Sequence, residues 1–373
     1  MSEPSLKKTP LNAVHRALGG KMVDFGGWDM PVQYPAGVIE EHMRCRTACA
    51  LFDVSHMGEI WVQGPDAIDF VNRLTTNDVR ILVDGQAHYS ALTNEDGGVV
   101  DDLLVYRFGE EKLLLVVNAG TTDKDWEWIT SHHTDADNCT LTNASTDFCQ
   151  IAIQGPNAVA ILQKLTNTDL APIKYYHFTT GKVDGVDSII SRTGYTGEDG
   201  FEVYAAPKLA EQLWNKMLET GNYGEAGGIL PCGLAARNTL RLESAMSLYG
   251  HELGDDITTF EANLGWITKL SKDGGFTGRD QLAAQKEAGL TRKLVGFEMT
   301  EPGIARDGFN VYAGGEKCGV VTSGSPAPYL KKNIGLAFVP LHFANVGQEI
   351  KIDVRGKHLA AVIVPTPFYK RVK

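Results

Sequence analysis

A repeated segment constrains the fold of this chain more than any other feature of its sequence. Residues 60–78 read IWVQGPDAIDFVNRLTTND and residues 151–169 read IAIQGPNAVAILQKLTNTD, with eight of nineteen positions identical at an offset of 91 residues. Each copy is a short apolar strand, then Gly-Pro, then an amphipathic helix, and proline suits a first helical turn because its missing N–H would be unpaired there. Two copies at this separation predict two related α+β lobes and not a solenoid.

The chain changes character after about residue 290. Short β-prone runs separated by Gly, Pro and Asn occur at 293–299, 309–313, 319–323, 333–339, 349–354 and 359–364. Six such runs without a strong helix between them predict a small β-barrel or sandwich. The Lys-, Gly- and Ala-rich stretch at 272–289 predicts a connecting helix.

Other segments predict interleaved strands and helices around the two repeats. Residues 99–108 and 112–117 are typical of neighbouring strands joined by a tight turn. Residues 122–132, 209–218 and 234–246 have the pattern of amphipathic helices.

Composition and charge exclude several classes of function. The 373 residues are 43% hydrophobic and 22% charged, as in ordinary globular proteins, and the length allows two or three lobes with substantial cores. A net charge of −11 without a basic face argues against nucleic-acid binding. No run of 18 apolar residues and no leader pattern occurs, so we expect a cytoplasmic protein that does not span a membrane.

The six cysteines show no metal-binding or redox spacing, so we expect free thiols in a reducing cytoplasm. Cys45 and Cys49 are one helical turn apart, which could indicate a shared metal. The favoured interpretation is that they are two small residues on one buried helix face.

Two adjacent carboxylates interrupt an apolar stretch at 99–106. Successive strand residues face opposite sides, so Asp101 and Asp102 cannot both enter one pocket. Asp102 shares a face with Leu104 and Tyr106, an apolar setting that raises the pKa of a carboxyl group and suits it to exchange protons with a ligand amine. A pair that caps backbone N–H groups beside a turn is the alternative, and the spacing leaves both open.

A glycine-rich run at 191–202, SRTGYTGEDGFE, predicts a sharply turned loop that lets the backbone approach a ligand. No Gly-Lys-Ser/Thr follows, so a P-loop is excluded. Glu202 falls on the strand after the loop, where its carboxylate suits a bidentate hydrogen bond to a flat amidine-like edge. An exposed strand carboxylate is the alternative.

Arg237 lies near the start of the predicted helix at 234–246, where the helix dipole favours anions. A cation there indicates a bound carboxylate or a partner carboxylate. Arg241, four residues on, is better explained by a helix ion pair.

The adjacent Ser55 and His56 do not predict a hydrolase. Neighbouring residues of an extended segment point apart, and no Gly-x-Ser-x-Gly elbow occurs. Packing around a ligand is the better interpretation for Met57.

Six segments, in order, resemble the T-protein family of the glycine cleavage system. They are MVDFGGWDMPVQY, FDVSHMGE, YSALTNEDGGVVDDLLVY, SRTGYTGEDGFE, GLAARNTLRLE and the terminal PTPFY, and they span roughly residues 8–370. No single segment is decisive, but six in this order are specific to the family.

The resemblance implies a three-lobed ring, in which two α+β lobes bind folate near the centre and a C-terminal β-barrel closes it. It places the folate-binding aminomethyltransferase region at 1–275, with two interleaved lobes of which the second covers roughly 57–140. The barrel falls at 290–373.

The implied reaction is an aminomethyl transfer. An aminomethyl group arrives on the lipoyl arm of a partner, the H-protein, ammonia leaves, and the methylene passes to tetrahydrofolate as co-substrate to give 5,10-methylenetetrahydrofolate. No metal is implied. An acidic partner would need a local basic patch, for which Lys370, Arg371 and Lys373 are candidates.

The resemblance also implies the site residues. The family's catalytic aspartate, which contacts folate N10, matches Asp102, and its pterin-binding glutamate matches Glu202. Arg237 matches an arginine near the substrate. Further folate or substrate contacts fall on Tyr89, Leu104, Tyr106, Asn118, Tyr195, Met57, Tyr176, Trp266 and the C-terminal Tyr369.

The sequence departs from the family pattern in two places. Residues 259–263 read TFEAN where the family usually has Pro-Phe-Glu-Ala-Gly, and Asn238 stands where Asp is common. Neither change removes an assigned chemical group, but the first affects the loop around Glu261.

Two relatives with the same implied fold are alternatives. One is a demethylase acting on a sulfonium or N-methyl donor, which the retained aspartate and the DVSHMGE segment disfavour. The other is a folate-dependent iron–sulfur assembly factor, which resembles K-G-C-Y-x-G-Q-E at its key loop, and no such run occurs here.

Overall fold

The computed structural model describes residues 5–371, and helices and strands are interleaved along them. The strands are β1 (Lys21–Phe25), β2 (Trp28–Gln33), β3 (Ala50–Asp53), β4 (Gly58–Gln63), β5 (Gln86–Thr93), β6 (Val99–Gly109), β7 (Lys112–Val117), β8 (Thr140–Asn143), β9 (Cys149–Gln154), β10 (Phe178–Val183), β11 (Val186–Ser191), β12 (Gly200–Ala205), β13 (Leu230–Pro231), β14 (Arg292–Met299), β15 (Asn310–Ala313), β16 (Glu316–Ala327), β17 (Lys332–Pro340), β18 (Glu349–Val354) and β19 (Lys357–Val364).

The α-helices are α1 (Asn12–Ala17), α2 (Val38–Thr47), α3 (Ala67–Leu74), α4 (Thr122–Ser131), α5 (Ala158–Gln163), α6 (Ala210–Thr220), α7 (Leu234–Glu243) and α8 (Arg279–Ala288). Short 3-10 helices occur at Val79–Ile81, Pro207–Leu209, Gly265–Ile267 and Leu341–Phe343. Across residues 5–371, none of the helices is both long enough and apolar enough to cross a membrane.

Both copies of the repeat have the predicted form, with β4 followed by α3 and β9 followed by α5. The glycine before the proline is required in each copy. Gly64 and Gly155 have φ values of 136° and 128°, and a Cβ would lie 2.5 Å from the carbonyl oxygen of Asn138 or 2.7 Å from that of Ala48. A positive φ together with a backbone contact leaves room for glycine alone.

The two copies belong to two different sheets. One sheet has the strand order β10-β11-β12-β9-β3-β13, and the other β5-β6-β7-β4-β8. In the first, β9 runs antiparallel to both β12 and β3, and β3 pairs with β13 in parallel. The predicted α+β class, with two related sheet-and-helix lobes, is confirmed.

The β-rich C-terminal part is a barrel and not a sandwich. Among the described residues, β14-β17-β16-β15-β18-β19 form one closed sheet, preceded by the predicted helix α8. Its interior is filled by side chains that include Phe297, Val311 and Ile352. A Cβ at Gly335 would lie 2.4 Å from the ring of Phe297, so glycine at this position makes room for the ring.

The described residues divide into two compact units. One comprises 5–67, 82–88 and 104–238, and the other comprises 68–81, 89–103 and 239–371. Each unit buries its own apolar clusters, one centred on Trp214 and Phe201 in the first and one on Leu242 and Ile267 in the second. The domain boundaries near 275 and 290, and the lobe at 57–140, stay predictions.

The prediction that Cys45 and Cys49 share one helix face is wrong. Helix α2 ends at Thr47, and Cys49 comes directly before β3. Both side chains are buried, and none of the six cysteines, all of which lie among the described residues, is in a disulfide.

Arg241 forms a buried ion pair outside its own helix. Its Nη1 donates to Glu252 Oε2 at 2.8 Å and its Nη2 to Ser323 Oγ at 2.7 Å, while Ser323 donates to the second oxygen of Glu252 at 2.6 Å. The expected helix ion pair is therefore replaced by a contact with residues distant in sequence. A buried pair is tolerated when its donors and acceptors are satisfied in this way.

The unusual loop at 259–263 keeps a well-bonded Glu261. Its carboxylate accepts hydrogen bonds from Arg292 Nε at 3.0 Å and Nη2 at 3.2 Å. Asn263 has a φ of 63°, a conformation that glycine or asparagine adopts at low cost, and its amide donates to the carbonyl of Leu294 at 2.9 Å. Asparagine therefore fits the position where the family usually has glycine.

The turn between β3 and β4 is anchored by Asp53. Its carboxylate accepts hydrogen bonds from Thr9 at 2.6 Å and from the backbone N–H of Ser55 at 2.9 Å, and lies 2.8 Å from Nε2 of His15. Burial raises the pKa of Asp53, but these partners outweigh it and lower the pKa to about 2. The next ring in the turn, His56, is buried against Phe25.

The lowered pKa of His56 predicts that the stability of the folded chain depends on pH. Burial and then the charge of Arg237 lower the pKa of His56 from 6.5 to about 4. The unfolded chain binds this proton more readily than the folded chain does. The contribution of neutral His56 to the free energy of unfolding is therefore present above pH 6.5 and is lost as the pH falls through 4.

We expect wild type to lose up to about 3 kcal/mol of unfolding free energy more than His56→Gln over this interval. Urea unfolding at several pH values measures it. His342→Gln, at an exposed position on the barrel, is the control and should follow wild type. Parallel pH profiles for wild type and His56→Gln would contradict the prediction, because they would show that folding leaves the pKa of His56 unchanged.

Candidate functional site

Glu202 lies in the middle of the first sheet and is buried. It is on β12, opposite Ala152 of β9 and Ser191 of β11, and is 9% exposed. Tyr204, two residues on, faces the same side and is paired with Gln150 of β9. The alternative of an exposed strand carboxylate is therefore excluded.

Hydrogen-bond donors surround the carboxylate of Glu202. Thr193 donates through a short bond to Oε2, and Gln150 donates to Oε1 at 3.1 Å and to the hydroxyl of Tyr204 at 3.1 Å. The hydroxyl of Tyr106 lies 3.1 Å from that of Tyr204 and 3.3 Å from that of Thr193. We call Glu202, Gln150, Thr193, Tyr106 and Tyr204 the Glu202 cluster.

The charge of Glu202 is opposed by burial and supported by its partners. Burial raises the pKa of Glu202 above its usual value, and Thr193, the positive charge of Arg237 and Gln150 act in the opposite direction and limit the rise. These three groups stabilise the ionised form inside a dry part of the protein. An ionised carboxylate so placed binds a flat group that presents two N–H donors.

Arg237 and Tyr195 are brought together. The guanidinium carbon of Arg237, on α7, lies 4.4 Å from the ring centroid of Tyr195. Stacking of a guanidinium on an aromatic face is favourable and fixes both groups. Arg237 on α7 and Tyr195 in the glycine-rich loop, both predicted from the sequence, are therefore in contact.

The glycine-rich loop is held by hydrogen bonds to Arg46 and Gln154. Arg46 donates to the carbonyl of Thr196 at 2.7 Å and to Glu198 at 2.9 Å, and Gln154 accepts from the hydroxyl of Thr196 at 2.8 Å. A Cβ at Gly194 would lie 2.1 Å from Oε1 of Gln154. A side chain at 194 would therefore displace the amide of Gln154 and disturb its hydrogen bond with Thr196.

An apolar and aromatic cluster adjoins these polar groups. Tyr106 and Tyr204 belong to it, and half-buried residues that pack against it include Met57, Leu104 and Tyr176. Tyr176 has a φ of 59°, and burial raises its pKa well above the usual value, so its hydroxyl stays protonated. Three further predicted contact residues therefore lie together with Tyr106.

Asp102 forms a separate group within the second compact unit. The hydroxyl of Tyr89 donates to Asp102 Oδ2 at 2.7 Å, and the rings of Tyr89 and Trp266 stack with centroids 5.9 Å apart. Trp266 is 57% exposed, which is unusual for so large an apolar side chain. Asp101 is fully buried while Asp102 is half-buried, so the two carboxylates face opposite sides as predicted.

The remaining predicted residues lie at the ends of elements. Asn118 follows β7, and its carbonyl accepts from the hydroxyls of Thr121 at 3.2 Å and Thr122 at 3.0 Å. Tyr369 donates its backbone N–H to the carbonyl of Glu243 at 2.7 Å, and its ring lies 5.3 Å from that of Tyr329.

Among the buried polar atoms that lack hydrogen-bond partners within residues 5–371, one belongs to the Glu202 cluster and two belong to β4 and the turn that precedes it. They are Nδ1 of His56, Oε2 of Glu59 and Oε1 of Gln150. Sequence reasoning did not single out Glu59, Gln150 or Thr193. Glu59 carried a signal, because a carboxylate opening the apolar strand IWV is as unusual as Asp102 in its strand.

These groups fit a flat polar ring. Glu202 can accept hydrogen bonds from a donor edge, and the unpartnered atoms can offer further hydrogen bonds to a ligand. No group of three or more His, Cys, Asp or Glu side chains suited to a metal is present in the described part of the chain.

The chain is similar along its length to known proteins. Residues 11–272 match the GCVT N-terminal domain, and residues 292–370 match the glycine cleavage T-protein C-terminal barrel domain. An aminomethyltransferase of Desulfitobacterium hafniense (strain DSM 10664 / DCB-2) is 52% identical over 366 residues, covering 98% of this chain and 99% of that protein. An aminomethyltransferase of Acidobacterium capsulatum is 53% identical over 374 residues, covering 99% and 97%.

A solved structure agrees with these relatives. The crystal structure of glycine cleavage system aminomethyltransferase T from Bartonella henselae superimposes with a TM-score of 0.91 at 33% identity, covering 98% of this chain and 99% of that one. The chain therefore belongs to the glycine cleavage T-protein family of aminomethyltransferases.

Proposed function

We propose that this chain is the aminomethyltransferase of a glycine cleavage system. It takes the methylene of an aminomethyl group from the lipoyl arm of an H-protein, releases ammonia, and forms 5,10-methylenetetrahydrofolate from tetrahydrofolate. The observation that carries the assignment is the buried Glu202, whose hydrogen-bond donors orient it for an amidine-like edge. The chain matches the family over residues 11–272 and 292–370. The reduced pteridine of tetrahydrofolate has such an edge in its 2-amino group and N3–H.

Glu202 is proposed to orient the pteridine. Thr193 and Gln150 hold its two oxygens, and their donated hydrogen bonds favour the ionised form and fix its rotamer. A carboxylate that is already fixed loses little conformational entropy when the ring binds to it, so the ring is held in one orientation. The aromatic and aliphatic side chains of Tyr106, Leu104 and Met57 supply the apolar surface beside it.

Asp102 is proposed as the catalytic carboxylate that contacts folate N10 and assists electrostatically as N5 attacks the methylene. Its Oδ2 is held by the hydroxyl of Tyr89, whose ring stacks on Trp266. A carboxylate fixed in this way stabilises positive charge that develops on the folate without having to reorganise. The exposed face of Trp266 is a flat surface suited to an aromatic portion of the substrate.

Arg237 is proposed to lie near the substrate, with Tyr195 as its stacking partner. Asn118, Tyr176 and Tyr369 are proposed as further contacts. The chemistry needs no metal in this proposal, because the nucleophile and the leaving amine belong to the substrates.

The lipoylated H-protein is the proposed protein partner, and the cytoplasm the proposed location. Six free cysteines suit a reducing compartment. Lys370 and Arg371 are the proposed contacts for an acidic partner, and Lys373, the third candidate, lies outside the described residues.

The test is an assay of ammonia release by the whole chain from aminomethyl-loaded H-protein. We expect release that requires tetrahydrofolate, with methylenetetrahydrofolate formed in equal amount. Unmodified H-protein is the control and should release none. Tetrahydrofolate binding without ammonia release would contradict the proposal and point to another methyl donor.

Asp102→Asn is expected to leave folding intact and to lower turnover by roughly a hundredfold or more, because the charge that assists the folate is lost. The ammonia assay gives kcat, and thermal unfolding checks the fold. Asp187→Asn, at a largely exposed position on β11, is the matched control and should keep wild-type turnover. Normal activity in a folded Asp102→Asn variant would remove its central role.

Glu202→Gln is expected to weaken tetrahydrofolate binding by roughly tenfold to a hundredfold, because a charge-assisted pair of hydrogen bonds becomes a neutral one and the amide brings an unwanted donor. Calorimetric titration under anaerobic conditions measures the Kd. Glu219→Gln, at an exposed position in α6, is the control. An unchanged Kd for Glu202→Gln would place the pteridine elsewhere.

A further inference from the structure

Glu59 is a buried carboxyl group to which the proposed function assigns no role. It lies on β4, opposite Val116 of β7, and is 1% exposed. Val116 and Trp61, two residues further along β4, both pack in the cluster around Tyr106 and Tyr204. Because strand residues alternate between faces, Glu59 points toward that same cluster.

One carboxyl oxygen of Glu59, Oε2, has no hydrogen-bond partner among the described residues. An unpaired buried polar group destabilises the folded state, since its bonds to water are lost and not replaced. Oε1 of Gln150, in the Glu202 cluster, also has no hydrogen-bond partner among the described residues. Unpaired atoms of this kind, retained beside a binding residue, indicate that a ligand completes their hydrogen bonds.

Burial raises the pKa of both Glu59 and Glu202, but only Glu202 has partners that offset much of that rise. Glu202 accepts hydrogen bonds from Thr193 and Gln150, and the charge of Arg237 favours its ionised form. Burial and then the negative charge of Glu202 raise the pKa of Glu59 well above its usual range. Two neighbouring carboxyl groups in a dry cluster cannot both ionise at low cost, so Glu202 carries the charge and Glu59 keeps its proton.

The other titratable groups of the cluster do not change this assignment. Burial raises the pKa of both Tyr106 and Tyr204, which are therefore neutral hydroxyl groups. His56, in the turn before β4, has a lowered pKa and is neutral as well. Arg237 supplies the positive charge that favours ionised Glu202.

We propose that Glu59 is a second ring-binding residue: its neutral carboxyl group donates a hydrogen bond to an acceptor of the ring whose donor edge Glu202 accepts. The inference rests on the proposed function for the identity of that ring, the reduced pteridine, which carries a 4-oxo group and ring nitrogens as acceptors beside its donors. One anionic and one protonated carboxyl group together recognise both kinds of atom. Such a site rejects a ring that lacks the acceptor, because the donor would remain buried and unpaired.

The test compares Glu59→Gln with Glu59→Met in the full chain, using tetrahydrofolate binding and the Tm of the free protein. The amide of Gln keeps an N–H donor, so we expect its Kd to stay within about twofold of wild type. Met has a similar volume and no donor, so we expect its Kd to rise about tenfold while its Tm increases, because an unpaired polar group has been removed. Glu110→Met, at an exposed turn, is the matched control and should change neither quantity.

A second probe locates the effect on the ring. The same tenfold loss in Glu59→Met is expected with a tetrahydropterin that lacks the aminobenzoyl-glutamate tail. A loss confined to full tetrahydrofolate would place the contact on the tail and overturn the inference.

The outcomes separate this inference from the proposed function. If wild type does not bind tetrahydrofolate, the proposed function fails. If wild type binds but Glu59→Met binds equally well, or Glu59→Gln loses as much as Glu59→Met, the role of Glu59 as a neutral donor is wrong. A Tm of Glu59→Met below that of wild type would show that the carboxyl group is already satisfied in the free protein, which also overturns the inference.

Discussion

The buried carboxyl group of Glu202 inside a sheet-and-helix layer is the constraint on which the rest of the site depends. Water cannot solvate it there, so the protein must supply donors, and Thr193 and Gln150 do so. Thr193 can reach Glu202 because Arg46 and Gln154 brace the glycine-rich loop. The antiparallel register of β9 and β12 sets Gln150 beside the carboxylate. Burial of the charge, loop geometry and strand register are thus parts of one arrangement.

Local pattern was enough to predict much of the fold. Both repeat copies are strand, Gly-Pro and helix, as the apolar run, the Gly-Pro pair and the apolar stripe in the sequence predict, and the structure adds the positive φ of Gly64 and Gly155. The six β-prone runs of the C-terminal part are the six strands of the barrel, because short apolar runs separated by turn residues are likewise visible in the sequence. Closure into a barrel was not predictable from those runs alone, since a barrel and a sandwich use the same alternation of residues.

Contacts between residues distant in sequence could not be predicted. Glu202 was recognised as a strand carboxylate, but its burial depends on Gln150, which lies 52 residues away. Arg241 has a suitable helix position for a local pair, yet its buried partner is Glu252 together with Ser323. The roles of Asp102 and Arg237 came from family resemblance, and the structure adds the hydrogen bond from Tyr89 and the stacking on Tyr195.

The central claim is that Glu202 binds the donor edge of a reduced pteridine, and a crystal structure of the chain with tetrahydrofolate tests it most directly. The account predicts the 2-amino group and N3 of the ring within hydrogen-bond distance of the two oxygens of Glu202, with Thr193 and Gln150 still donating to that carboxylate. A bound folate whose pteridine lies away from Glu202, with the cluster unchanged, would contradict the account.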